Sequence, residues 1–150
     1  MDRGRRSMTI DEQKQIARQV FDAFADGDVA PLQGALAPGA VIHQCGFLQP
    51  ISGEFFLQGG FRPGSRIRDR MVRLEHMIGE GDILALHWRT TGHHAEPEPP
   101  KRDGTPVNFS SMTFVRFEDA RIAEIWNIQD TATLQSQLRE AASSNGAGAE

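Results

Sequence analysis

The sequence predicts an α+β fold, and three observations carry that reading. Two amphipathic helical segments open the chain, four long alternating segments fill its second half, and one more helical segment closes it. Segregated helices and strands of this kind pack as helices against one face of a mostly antiparallel sheet. The 150 residues suit a single domain. Residues 9–140 are expected to form it, with disordered tails at 1–8 and 141–150.

The first helix begins at Thr9-Ile10-Asp11-Glu12, where a hydroxyl and a carboxylate three residues apart have capping-box spacing. Ile16, Val20 and Phe24 then recur every four residues on one face, and Gly27 closes the helix. Asp28 caps a shorter helix carrying Val29, Leu32 and Leu36, which Ala37-Pro38-Gly39 stops. A strand is expected over residues 40–48. Residues 50–65 then read as irregular, with Phe55, Phe56 and Phe61 among glycines, a composition that suits a movable cover or an irregular core wall.

Val72, Leu74, His76 and Ile78 alternate with polar residues and are assigned to one strand face. Gly79 to Asp82 makes the turn, and Leu84, Leu86, Trp88 and Thr90 share a face of the next strand. A polar connection with three prolines and an Asp103-Gly104 turn signal leads to the strand 107–117. Glu118-Asp119-Ala120 connects tightly to the strand 121–129, after which Asp130 caps the last helix, with Leu134 and Leu138 facing inward.

Composition excludes several functions. Apolar residues are 39% and charged residues 24%, with a formal net charge of −4, so no basic surface for nucleic acid is expected. The densest basic cluster, arginines 3, 5 and 6, lies on the N-terminal tail. No apolar run reaches the roughly 20 residues of a membrane span. No secretory signal is evident, so a cytoplasmic protein is expected. Cys45 is the only cysteine, so no internal disulfide forms.

The segment 74–138 carries Ile78-Gly79-Glu80-Gly81-Asp82, then Trp88 to His94 as W-x-x-x-G-x-H, then Arg116 to Asp130 as R-F-E-D-x-x-I-x-E-x-W-x-x-x-D. In this order the motifs resemble the SnoaL-like polyketide cyclase, or ester cyclase, family of the nuclear transport factor 2-like superfamily. The first helix and Leu36-Ala37-Pro38 also fit, whereas residues 49–65 look foreign. The resemblance implies a cone-shaped α+β barrel: a curved, mostly antiparallel sheet wrapped by N-terminal helices around a deep apolar pocket. It also implies ring closure on polyketide intermediates by an aldol-type step, with no metal or organic cofactor. Relatives hydroxylate, isomerise, dehydrate, open epoxides or only bind.

The family's general acid/base is an aspartate where this chain has Asn127, and a family histidine on the preceding strand is replaced by Thr113. An amide does not shuttle protons, but it donates a hydrogen bond to a carbonyl or enolate oxygen. Candidate catalytic residues are therefore Asn127 with two histidines, His76 and His43. His76 would face the pocket if Val72, Leu74 and Ile78 do, the plain alternative being a core or outward histidine. The expected substrate wall is Leu84, Leu86, Trp88, Ser111, Thr113, Ile125 and Gln129, apolar with scattered hydroxyls and amides.

No metal site is expected. His43 and Cys45 supply only two ligands, and His93-His94 with Glu96 and Glu98 reads as solvated charge. The implied function is cofactor-free cyclisation of a hydrophobic polyketide-type molecule, including a cycloaddition that needs no proton transfer. The alternatives are hydroxylation, isomerisation or epoxide opening on the same fold, or a carrier or sensor of an apolar molecule. Met112, Phe114 and Trp126 alternate against the pocket set and predict an apolar outer face that pairs two copies as a homodimer.

Overall fold

The structure, a computed structural model, describes residues 7–26, 28–58, 66–95 and 104–146, with the side chains of residues 24, 145 and 146 left aside. The arginines at 3, 5 and 6, the Phe24 side chain, Gly27, Phe61 with its neighbouring glycines, residues 96–103 and residues 147–150 lie outside the described residues.

Helix α1 (Ile10–Ala25) begins on the expected capping box. The Thr9 N–H donates to Glu12 Oε2 at 2.9 Å, and the Glu12 N–H donates to Thr9 Oγ1 at 3.1 Å. At its far end the Ala25 carbonyl accepts from Arg70 Nη2 at 3.2 Å, a cation on the negative end of the helix. Burial there lowers the Arg70 guanidinium pKa from its ordinary value. Asp28 Oδ1 accepts the Ala30 N–H at 2.9 Å just before α2 (Ala30–Ala35), and a proline lies in the first turn.

Strand β1 (Leu36–Gln44) starts directly after α2, earlier than the expected start at residue 40. Pro38 does not stop the chain, because it sits in a bulge: Gly39 has φ +74° and the register against the partner strand shifts between Leu36 and Val41. The stretch expected to be irregular contains a short strand and a single helical turn, β2 (Ile51–Ser52) and α3 (Gly53–Leu57). Ser52 Oγ accepts the Phe55 N–H at 3.1 Å and starts that turn.

Four long strands follow: β3 (Ile67–Glu80), β4 (Ile83–His94), β5 (Thr105–Glu118) and β6 (Arg121–Gln129). The sheet order is β2-β1-β6-β5-β4-β3, antiparallel throughout except for the parallel pair β1 and β6. Its edges are β2 and β3, and bulges in β1, β3 and β6 bend it. Gly92 lets β3 close on β4: a Cβ there would lie 2.5 Å from Ile67 Cγ2 and 2.7 Å from the Arg68 carbonyl oxygen.

The concave face holds the core. Phe21 of α1 meets Trp88 edge to face at 5.7 Å, and Leu84, Val115, Phe117 and Ile122 pack beneath. Helix α4 (Thr131–Gly146) covers the other end of that face, where Val107, Phe109 and Leu134 form a second cluster. It runs past the expected domain end at residue 140. Asp130 Oδ1 accepts the Thr133 N–H at 3.0 Å, a cap that holds the Asp130 carboxyl below its usual pKa. Gln137 then grips the Asn108 backbone through both amide atoms, at 2.9 and 2.7 Å.

The convex face carries the predicted apolar patch. Met112, Phe114 and Ile128 are 62%, 52% and 67% exposed, and Trp126 is half-buried against the His43 ring.

Candidate functional site

The concave strand residues converge on a cavity of about 100 Å³. Its floor is Leu86 and Trp88 of β4, Thr113 and Val115 of β5, and Ile125 and Asn127 of β6. Ile42 and Gln44 of β1 supply one side, while α1, α2 and α3 close it with Phe21, Leu32 and Phe56. The wall is apolar apart from four side chains, and those four are joined in one chain of hydrogen bonds.

The indole of Trp88 sets the direction of that chain. An indole N–H only donates. It donates to Thr113 Oγ1 at 2.9 Å, and the Thr113 hydroxyl donates to Asn127 Oδ1 at 2.9 Å. Asn127 Nδ2 is thereby turned to Gln44 Oε1 at 3.1 Å, and Gln44 Nε2 to Cys45 Sγ at 3.3 Å. Asn127 and Gln44 line the apolar cavity, and each amide carries one more N–H than this chain uses. Among the described lining residues no side chain titrates between pH 5 and 9.

Five predicted residues, Leu86, Trp88, Thr113, Ile125 and Asn127, come together at this cavity. Others do not. Leu84 is fully buried beside Gly79, in the core below. Ser111 is buried, with an Oγ that has no hydrogen-bond partner among the described residues, and Gln129 lies opposite it in the β5–β6 register; neither lines the cavity.

The two histidines are corrections of place. His76 is on the convex face. Leu74 pairs with Trp88 but His76 pairs with His87, so Glu75 is an extra residue in a bulge. The bulge reverses the alternation, leaving Val72 and Leu74 inside and sending His76 and Ile78 out. Ile78 is accordingly 68% exposed. His43 is also convex. Its Nε2 lies 2.7 Å from Glu124 Oε2, and its ring stacks on Trp126 at 5.3 Å. That contact, with Arg116, holds the Glu124 carboxyl below its usual pKa.

The sequence reading missed Gln44 and Phe56. Gln44 lies one residue beyond His43, and strand parity alone puts one inside and the other outside. Phe56 was hidden because a helix of one turn leaves no periodicity to read.

A curved sheet covered by helices, with a concave and mostly apolar pocket between them, is the architecture of a small-molecule site. The chain belongs to the SnoaL-like polyketide cyclase family, whose model matches residues 14–138. It has the cone-shaped nuclear transport factor 2-like fold that the motifs implied.

Solved structures agree. IdmH of Streptomyces antibioticus, a proposed polyketide cyclase, is 26% identical with a TM-score of 0.70, over 83% of this chain and 96% of that one. AclR of Streptomyces galilaeus, a proposed hydroxylase, is 19% identical with a TM-score of 0.69, over 88% and 98%. An epoxide hydrolase of the LEH-like type from M. tuberculosis is 16% identical with a TM-score of 0.64, over 87% and 91%. No curated protein matches in sequence.

Proposed function

We propose that the protein closes a ring on a hydrophobic polyketide-type intermediate, without a cofactor, by folding the substrate and polarising a carbonyl. The observation that carries this reading is the directed chain from Trp88 through Thr113 and Asn127 to Gln44. It sets two amides with N–H groups to spare in an apolar wall, which supports a role as donors to a ligand oxygen. Donors fixed before the ligand arrives stabilise charge developing on a carbonyl oxygen, and removal of one such donor costs about 2.7–4 kcal/mol. Proximity of the two reacting carbons supplies the rest, up to roughly 7–11 kcal/mol in favourable cases. A concerted cycloaddition suits this wall better than an aldol step, because Asn127 replaces the acid/base. We further propose that the convex face around Met112, Phe114 and Trp126 pairs two copies.

A second reading is a carrier of an apolar ligand, favoured by the absence of an acid/base pair among the described lining residues. Incubation with linear and partly cyclised polyketide intermediates, followed by mass spectrometry, separates the readings. Ring closure gives an isomer of unchanged mass, or one that has lost water. Hydroxylation adds one oxygen, epoxide opening adds one water, and a carrier returns its ligand unaltered. Recovery of every intermediate unchanged from enzyme that binds it would replace the cyclase reading by the carrier.

A further inference from the structure

On the convex face, away from the cavity, the bulge in β3 gathers Glu75, His76 and His87, whose donor atoms all lie within 4.8 Å of one another. We propose that these three side chains form a binding site for a divalent transition-metal ion of the zinc, copper or nickel type.

The bulge makes the site. Without the extra residue at Glu75, His76 would point into the core and could not meet His87. With it, the two residues become cross-strand neighbours, and their rings are nearly parallel, 5° apart in plane. His76 Nδ1 and His87 Nδ1 are 3.1 Å apart, and Glu75 Oε2 is 3.6 Å from His87 Nδ1. Donors around a tetrahedral ion at bond lengths of 2.0–2.2 Å lie roughly 3.3 Å apart, close to the two spacings that His87 makes with His76 and Glu75. The two nitrogens are turned toward each other, and exposed His76 needs only a rotation of its ring to aim both at one ion.

The neighbours hold the carboxylate and select the metal. Glu75 Oε1 is taken by Arg73 at 2.6 Å and Arg89 at 3.1 Å. These contacts engage one oxygen and leave Oε2 toward the histidines. Two guanidiniums oppose a dication, so the attraction must come from imidazole nitrogen. That excludes calcium and magnesium, which require several oxygens, and favours metals that bind imidazole. The remaining position is open to water or a further ligand.

Titration of untagged, chelator-treated protein with zinc chloride and with copper chloride in neutral buffer, read by calorimetry, tests the site. Saturable heat is expected with both, and none with magnesium chloride. His76→Gln and His87→Gln should each abolish it, while Glu75→Gln should weaken binding by about tenfold. A His93→Gln, His94→Gln double variant controls for the other histidine pair and should bind like the parent. Circular dichroism confirms that each variant is folded, and copper electron paramagnetic resonance should show two nitrogen ligands. No saturable heat from the parent, or binding that survives both single histidine substitutions in folded protein, would overturn the proposal.

Discussion

The Thr113 hydroxyl stands between two partners: it accepts the Trp88 indole proton and donates its own to Asn127 Oδ1, each at 2.9 Å. One hydroxyl thus links the indole on β4 to the amide on β6, the residue the proposed chemistry uses.

Substitution at Asn127 tests this directly. Asn127→Ala removes the donor and should lower kcat/KM by about 10²–10³, in line with loss of an oxyanion donor. Asn127→Asp keeps the Thr113 bond but forces Gln44 to turn its amide nitrogen inward and places a carboxylate in an apolar wall. Stability at neutral pH should fall by about 1–3 kcal/mol. Burial raises the pKa of such a carboxyl, so the loss should shrink as pH falls and the group is protonated. Urea denaturation at pH 4.5 and 7 reads the difference; a variant as stable as the parent at pH 7, or one with a large gain in rate, would refute the account.

Turnover should be flat with pH while the protein stays folded, because no described lining residue titrates near neutrality. His43→Gln and His76→Gln, both altering the convex face, should leave the rate nearly intact. An acidic limb near pH 6.5 that disappears in either variant would make that histidine catalytic.

The convex patch should hold two copies together. Phe114 and Met112 are more than half exposed, and a charge at either would be desolvated in a paired interface. Phe114→Glu should convert a dimer to a monomer in sedimentation at micromolar concentration. A monomeric parent would end the proposal.

Acid should weaken the same face. Glu124 is held below its usual pKa first by His43 and then by Arg116. A depressed carboxyl contributes stability above its unfolded pKa of about 4.3, and that contribution is lost as pH falls through the folded value. Thermal unfolding between pH 6 and 3 should therefore show a smaller acid-dependent loss in Glu124→Gln than in the parent. Equal slopes would show that the pair contributes nothing.

The tight turn joining β5 to β6 offers a stabilising change. Asp119 and Ala120 have φ +50° and +65°, the left-handed pair that a two-residue hairpin demands. Aspartate tolerates that region and alanine does not. Ala120→Gly should raise stability by about 1 kcal/mol, net of the extra freedom of glycine in the unfolded chain. A fall in the urea midpoint would contradict it.

The elements that were legible in the sequence are those with an uninterrupted period. The capping box at Thr9, the alternation from Leu84 to Trp88 and the Asp130 cap appear as read. The face of His76 was not legible, because an extra residue in a bulge leaves composition unchanged and only inverts parity beyond it. Pro38 and Gly39 read as a stop, yet a bulge accommodates both within β1. Gln44 belonged to an alternating strand and became visible only when Asn127 fixed which face was inner.

A void of about 100 Å³ holds a few water molecules, while pockets for drug-sized ligands span roughly 300–1,000 Å³. A polycyclic guest is therefore larger than the cavity as it stands. Of the elements around it, α3, a single turn carrying Phe56, has the least helix of its own to hold it in place. Were admission of a guest to wait on that element, its opening rather than the ring closure would set the pace of turnover.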